Sequence, residues 1–188
     1  MAFVVLYDAC VLYPAAVRDL LIRVANAGIV QGRWTERILD ETFRNIAEQR
    51  PDLSPDNLAR TRHLMTRAVP DCLVTDYESL EASLVLPDPD DRHVLAAAIR
   101  ANAQVIVTTN LRDFPEAALA PYDIEAKHPD DFILDSIDIA PGAVIECLVR
   151  QAAALRQPPQ TPGEVVDTLR DAGLVRSAAR LRELLGVN

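Results

Sequence analysis

Residues 3–8 are Phe-Val-Val-Leu-Tyr-Asp, five apolar or aromatic residues that end at a single carboxylate. A continuous apolar run of this kind is typical of a strand buried on both faces, as in a parallel sheet covered by helices. Ligands of such sheets bind outside the carboxyl ends of the strands, which is where Asp8 is predicted to lie. Asp8 is also suited to cap a helix that starts near Val11, because first-turn N–H groups need acceptors.

The composition indicates a globular protein without bulk positive charge. A length of 188 residues suits one domain with a sizeable core, or one domain with a small appendage. The 28 acidic and 19 basic residues give a net charge of −9, which argues against a protein that binds nucleic acid through overall charge. A metal-dependent nuclease stays open, since clustered carboxylates contribute negative charge that a cation offsets.

The cysteines and the apolar runs indicate a cytoplasmic protein. Cys10, Cys72 and Cys147 are odd in number and far apart, so they predict neither a zinc site nor a disulfide framework. We expect buried, reduced thiols. No basic region precedes the first apolar run, and no run approaches the roughly 20 residues that cross a bilayer. We therefore expect neither a signal peptide nor a membrane association.

Strands and helices are predicted to alternate over residues 1–128. Helical spacing of apolar residues covers 12–25, and helices are predicted to begin at the cap residues Thr35 and Ser54. Short apolar runs predict strands at the positions 72–74, 104–108 and 123–126. This alternation predicts an α/β fold, a parallel sheet flanked by helices in a three-layer, Rossmann-like arrangement.

The remaining residues, 129–188, show only helical patterns. We therefore predict two parts, an α/β domain at 1–128 and a helical C-terminal extension at 129–188. The extension is expected to pack on the α/β core or to hold a partner.

Carboxylates recur where predicted strands end or helices begin. They are Asp8, Glu41, Asp88, Asp90, Asp91 and Asp113. Several acids that converge without His or Cys are the ligand set of a hard cation such as Mg²⁺ or Mn²⁺, and paired ions of this kind catalyse in-line displacement at phosphodiesters.

Each of these acids also has a structural interpretation. The acids at 88–91 suit the start of a helix, and Glu41 is placed to pair with Arg37 or Arg44. Asn110 and Asp113 suit an Asx-type turn. His93 has no companion ligands, and we expect it at the surface or half-buried.

The stretch DPDDRHVLAAAIRANAQVIVTTNLRDF at 88–114, with Asp8 after an apolar strand and Glu41 in a helix, resembles the PIN domain. Within that superfamily it is most similar to the VapC-type toxins of bacterial type II toxin–antitoxin systems. The resemblance covers residues 2–128. It aligns Asp8 with the first acid of the family and Glu41 with the second. Asp91 matches the third acid, with Asp88 or Asp90 able to share its role, Asp113 matches the fourth, and Asn110 matches the accompanying polar residue.

The resemblance implies an endoribonuclease that depends on Mg²⁺ or Mn²⁺ and whose acids hold a metal that activates water. It also implies a cognate antitoxin, with an arginine-bearing segment that enters the acidic pocket, and a homodimer. For the RNA, Arg112 is expected near the metal site. Arg60, His63 and Arg67 fall on one face of a helix, where they are suited either to phosphates or to solvent.

Two other functions remain open at this point. An aspartyl-phosphate phosphatase or receiver domain also has an Asp after its first strand. Such domains use a lysine near the phosphoryl group, but the sole lysine here is Lys127, and Cys10 stands where the phosphatase motif has a second Asp. The other alternative is a catalytically inert PIN-like binding module, because a fold by itself does not prove activity.

Overall fold

A four-stranded parallel sheet lies at the centre of the protein. The computed structural model describes residues 3–186, and the strands are β1 (Val4–Tyr7), β2 (Gln31–Arg33), β3 (Val105–Val107) and β4 (Glu125–Lys127). Their order is β2-β1-β3-β4, and every neighbouring pair is parallel. The chain leaves β1 towards one side of the sheet and later returns through β3 on the other side. The carboxyl ends of β1 and β3 therefore form the topological switch point at which α/β sheets bind ligands.

Helices cover the sheet and form the C-terminal part of the chain. Those that precede β4 are α1 (Ala9–Leu12), α2 (Ala15–Asn26), α3 (Glu36–Gln49), α4 (Pro55–Ala68), α5 (Glu78–Glu81), α6 (Arg92–Arg100) and α7 (Glu116–Leu119). Those that follow are α8 (Pro129–Ile139), α9 (Pro141–Ala154), α10 (Pro162–Asp171) and α11 (Val175–Leu185). The α/β prediction is confirmed. No helix within residues 3–186 is long and apolar enough to span a membrane.

Two helix starts agree with the capping residues predicted from sequence. The Thr35 hydroxyl accepts the N–H of Ile38 at 3.0 Å, and the Ser54 hydroxyl accepts the N–H of Asn57 at 3.2 Å. The helix predicted over 12–25 is instead divided into α1 and α2 at Pro14. Proline has no backbone N–H and cannot continue the hydrogen bonds of α1.

The strand predicted at 72–74 is wrong. Leu73 makes only an isolated bridge to Trp34, and the edge strand is β2. Its sequence, Gln-Gly-Arg, has no apolar run, so its extended conformation comes from pairing with β1 rather than from its own residues.

The C-terminal helices pack on the α/β part through one continuous core. That core includes Leu6 and Ile106 of the sheet as well as Leu169 of α10 and Leu181 of α11. The buried Gln151 amide of α9 donates a hydrogen bond of 2.9 Å to the carbonyl of Ala16, at the start of α2. Helix α8 begins at Pro129, two residues after β4. The division into domains at 1–128 and 129–188 stays a prediction.

A larger residue at position 32 is expected to destabilise the protein, because β2 passes directly against a buried tyrosine. A Cβ at position 32 would lie 2.9 Å from Cε2 of Tyr7 and 3.0 Å from Cβ of Ala25. The Tyr7 ring stacks on Trp34 and meets Phe132 edge-on, so it has little room to move. Gly32→Ala should destabilise the protein by about 1–3 kcal/mol, measured by urea unfolding.

Gly142→Ala is the matched control. No atom lies within 4 Å of a Cβ built at Gly142, in the first turn of α9. Since Ala favours helix over Gly, stability should stay the same or rise by up to about 1 kcal/mol. If Gly32→Ala behaves like Gly142→Ala, the close packing at Tyr7 does not restrict this position.

Candidate active site

Asp8 is fixed at the carboxyl end of β1 by three contacts. Its Oδ1 accepts the N–H of Ala9 at 2.7 Å, which caps α1. Its Oδ2 accepts the Thr108 hydroxyl at 2.8 Å and the Cys10 thiol at 3.2 Å. The residue as a whole is 5% exposed. Both interpretations of Asp8 therefore apply, since it caps a helix and lies at the switch point of the sheet.

Thr108 and Cys10 are site residues that the sequence analysis missed. The Thr108 hydroxyl accepts the N–H of Asn110 at 3.0 Å, and the Cys10 sulfur accepts the N–H of Thr109 at 3.3 Å. Burial and the charge of Asp8 raise the pKa of Cys10 to about 11, which keeps the thiol protonated and able to donate. The register of β1 and β3 pairs Tyr7 with Val107. The residues that follow the two strands, Asp8 and Thr108, are therefore neighbours.

Asp91 lies opposite several other carboxylates. It is half-buried and ends the 3₁₀ turn Pro89–Asp91 before α6. Burial, followed by the charges of Asp8, Asp88 and Asp113, raises the pKa of Asp91 to about 6. The structure thus brings Asp8, Asp88 and Asp113 within electrostatic range of Asp91, whose pKa the charge of His93 lowers in part.

The two other acids of the 88–91 segment are exposed. Asp88 accepts the N–H of Asp90 at 2.9 Å and caps the turn, as the structural interpretation predicts. Within residues 3–186 no such contact occupies the Asp90 carboxylate, and Asp90 lines a neighbouring cleft.

Asn110 and Asp113 frame the second 3₁₀ turn, Leu111–Asp113. The turn is closed by the backbone, since the N–H of Asp113 donates to the carbonyl of Asn110 at 3.0 Å. The Asn110 side chain makes no capping bond, so the Asx-type turn is not formed. Arg112 is exposed in the same turn, beside Asp113.

The four acids Asp8, Asp88, Asp91 and Asp113 have the chemistry of a hard-cation site but not a closed geometry. Among residues 3–186, no group of three or more His, Cys, Asp or Glu side chains is arranged to hold a metal ion. Within the same residues, no Lys, Arg or His forms an ion pair with any of these four. Mg²⁺ takes few protein carboxylates and keeps several waters, so an open set of carboxylates without ion pairs suits it.

Glu41 stands apart from this cluster and is engaged by basic side chains. Its Oε1 lies 3.2 Å from Nε2 of His93 and 3.5 Å from Nε of Arg37, so the predicted pairing with Arg37 is present. Arg44 is in no ion pair within the described part of the chain. Burial raises the pKa of Glu41, but the contact with His93 and the charges of His93, Arg37 and Arg44 outweigh it and lower the pKa.

The expectation that His93 is at the surface or half-buried is wrong. Its side chain is almost fully enclosed, because it begins the buried face of α6 and points towards Glu41 on α3. No pattern within α6 alone identifies α3 as the helix that covers this face.

A polar cleft of about 530 Å³ opens between α3 and the start of α6. The residues that line it are Arg37, Asp40, Glu41, Arg44, Asn45, Asp90, Asp91 and His93. Glu41 and Asp91 thus share one cleft, although Glu41 is not among the charges that shift Asp91.

The structure places the predicted RNA contacts Arg60 and Arg67 elsewhere. Both are exposed on α4 and are not part of the cleft lining. Their neighbour Arg62 forms ion pairs with Glu36 and Asp40 of α3.

Comparison with known families agrees with this architecture. The family model of the PIN domain matches residues 4–112, more than half of the chain. The protein belongs to the PIN domain family. A second model, the VapC50 C-terminal domain, matches residues 129–183 of this PIN protein.

One relative is described as a ribonuclease. It is the "Putative ribonuclease VapC50" of Mycobacterium tuberculosis (strain ATCC 25618 / H37Rv), 48% identical over 94 residues. The match covers 50% of this chain and 55% of the relative, so the chain spans about half the length of the relative that it matches. No solved structure matches the chain significantly.

Proposed function

We propose that this PIN domain protein is a metal-dependent endoribonuclease and the toxin of a toxin–antitoxin pair. The observation that carries the proposal is that Asp8, Asp88 and Asp113 act on Asp91 near the switch point of the sheet, while no ion pair within residues 3–186 involves any of the four. Repulsion among carboxylates disfavours their ionised forms, and a divalent cation offsets it. The relative described as a ribonuclease supports RNA as the substrate.

The cation is Mg²⁺ or Mn²⁺, and Asp8, Asp91 and Asp113 are the residues that would hold it, with Asp88 or Asp90 sharing the role of Asp91. When bound, such an ion activates a water and offsets the charge that develops at the phosphodiester. Thr108 and Cys10 hold the Asp8 carboxylate in one orientation through Oδ2. Glu41 is proposed to order a water or a phosphate from the neighbouring cleft.

The RNA contacts fall into two groups. Asn110 and Arg112 are proposed to contact the reacting phosphate, because they flank Asp113 in one turn and the planar guanidinium suits phosphate oxygens. Arg60 and Arg67 of α4 are proposed to contact the RNA backbone farther along, as exposed cations outside the cleft.

An antitoxin is the proposed protein partner. Its arginine would enter the acidic cluster, where four carboxylates without ion pairs attract a guanidinium. A homodimer and a cytoplasmic location belong to the same proposal.

In the structure, the lysine that the aspartyl-phosphate alternative requires is engaged in other ion pairs. Lys127 lies in β4, where its ammonium group is 2.6 Å from Asp135 and 3.0 Å from Glu125. A phosphoryl-binding lysine needs to reach the carboxylate at Asp8. The ion pairs of Lys127 therefore favour the nuclease over this alternative.

We expect the protein to cleave RNA only when a divalent cation is present. A pool of single-stranded and structured RNA should be cut with Mg²⁺ or Mn²⁺, and EDTA should stop the reaction because the carboxylates alone do not activate water. Gel analysis of the products and Mn²⁺ binding by calorimetry are the measurements.

The outcomes separate the remaining alternatives. Re-addition of Mn²⁺ after EDTA is the control, and it should restore cleavage. Cleavage that persists in EDTA contradicts the metal dependence. A protein that neither cleaves RNA nor binds Mn²⁺ is the inert binding module.

A further inference from the structure

A buried histidine holds Glu41 from outside the acid cluster. His93 is 1% exposed, and its Nε2 lies 3.2 Å from Oε1 of Glu41. Arg37 approaches the same oxygen at 3.5 Å. Both basic groups approach the carboxylate most closely at Oε1. These contacts leave Oε2 as the oxygen available in the cleft that Glu41 lines.

The second ring nitrogen of His93, Nδ1, indicates which nitrogen carries the proton. Nδ1 is buried and has no hydrogen-bond partner among the described residues. Because nothing accepts a proton from Nδ1, the proton of a neutral imidazole belongs on Nε2, from which it can be donated to Glu41. An unpaired buried polar atom destabilises the folded state, a penalty that an apolar side chain at position 93 would avoid. The favourable interaction of the His93 ring is therefore its contact with Glu41.

His93 also links the two walls of the cleft. It lies in the first turn of α6, two residues after Asp91, and contacts α3 through Glu41. A displacement of the ring would move Glu41 relative to Asp91. Side chains that orient a functional carboxylate in this way contribute to activity without touching the substrate.

We propose that His93 is a positioning residue, whose Nε2–H fixes Glu41 in the cleft shared with Asp91 so that Oε2 orders a water or a phosphate beside the acid cluster. The inference rests on the proposed ribonuclease function. It gives His93 no contact with RNA and no proton transfer to it.

A double-mutant cycle tests this role. His93→Leu removes the donor, His93→Gln keeps an N–H that can reach Glu41, and Glu41→Gln removes the charge that is positioned. His93→Leu should lower kcat for RNA cleavage about 10- to 100-fold with little change in KM. His93→Gln should recover most of that loss. In the Glu41→Gln background, His93→Leu should cost no more than ~2-fold, since its partner has already been altered.

A second cycle provides the matched control. Glu81 is the other carboxylate that Arg37 contacts, at 3.2 Å, and it lies outside the proposed site. Glu81→Gln perturbs Arg37 but leaves His93 and Glu41 in contact, so its effect should add to that of His93→Leu. Thermal unfolding of each variant identifies losses that come from stability. If His93→Leu does not fold, His93→Asn, whose shorter side chain falls short of Glu41, replaces it in both cycles.

The outcomes distinguish the positioning role from the proposed function. If the wild type cleaves RNA and His93→Leu has the same effect in both backgrounds, the positioning role is overturned and the nuclease stands. If the wild type neither cleaves RNA nor binds Mn²⁺, both are overturned. If it binds Mn²⁺ without cleaving, the cycle is measured on Mn²⁺ affinity, where additivity overturns the positioning role and non-additivity supports it.

Discussion

Asp91→Asn is expected to abolish RNA cleavage and, in the absence of divalent cations, to make the protein more stable. The substitution keeps the shape of the side chain and removes the charge that Asp8, Asp88 and Asp113 repel. Loss of a carboxylate that holds a catalytic cation removes several kcal/mol of transition-state stabilisation, so kcat should fall by about 10³-fold.

The gain in stability follows from the raised pKa of Asp91, about 6 against an ordinary 3.8. At pH 7 the carboxylate is ionised in the folded and the unfolded chain, and its charge is less favourable in the folded one. Because Asp91 is half exposed, solvent screens much of the repulsion, and we expect a gain of about 1 kcal/mol. Urea unfolding in EDTA measures it.

With Mg²⁺ bound, the wild type should become more stable than Asp91→Asn. A cation that binds only the folded state stabilises it by about 2.7 kcal/mol at a concentration of 100 times its Kd, and it should act on the wild type far more than on Asp91→Asn. Asp138→Asn is the control, because it makes the same charge change at an exposed acid of α8. An Asp91→Asn variant that cleaves RNA normally, or that is less stable in EDTA, contradicts the assignment.

The sequence predicted the elements whose signals are local. The apolar run that forms β1 and the capping residues Thr35 and Ser54 specify their own elements. Strand β2 was missed, because Gln31–Arg33 has no strand pattern and becomes extended only against β1. The pattern at 72–74 suggested a strand, but only a single bridge forms there, at Leu73.

The same distinction applies to the candidate site. Residues that follow parallel strands meet at one edge of the sheet, so it was predictable, once the strands were placed, that Asp8 and Asp113 would both lie near Asp91. The position of Thr108 could be predicted in the same way, since it directly follows β3. The position of His93 could not be predicted, because its contact with Glu41 depends on how α6 packs against α3. The catalytic roles of the acids stay a prediction.

Asp130→Ala is expected to cause the largest loss of stability in the C-terminal extension. Asp130 of α8 caps α11 across 47 residues of sequence, since its Oδ1 accepts the N–H of Ser177 at 2.8 Å and its Oδ2 accepts the N–H of Arg176 at 2.9 Å. The Ser177 hydroxyl donates back to the Asp130 carbonyl at 2.7 Å. The residue that precedes α11, Leu174, supplies no cap of its own.

Removal of the carboxylate leaves both N–H groups without their acceptor, and that of Ser177 is in a buried residue. A lost cap costs about 1 kcal/mol and a hydrogen bond to a charged group about 1.5–3, so we expect a loss of about 3 kcal/mol in urea unfolding at pH 7. Asp131→Ala is the matched control, because its ion pair with the Arg176 guanidinium is exposed and should contribute less than about 1 kcal/mol. Equal losses in both variants would contradict the capping role.

The pH dependence of Asp130→Asn provides an independent test of the same contacts. Burial raises the pKa of Asp130, but the hydrogen bonds from Ser177 and Arg176 outweigh it and hold the pKa below the ordinary 3.8. Between the lowered pKa of the folded chain and the ordinary pKa of the unfolded chain, the folded chain binds fewer protons. The stabilisation that the Asp130 charge provides is therefore complete above about pH 4 and is lost as the pH falls through the lowered pKa. The stability difference between the wild type and Asp130→Asn should therefore be constant from pH 7 to about pH 5 and shrink below pH 4. A difference that stays constant down to pH 3 would show that the charge of Asp130 contributes nothing to the cap, and that only its shape does.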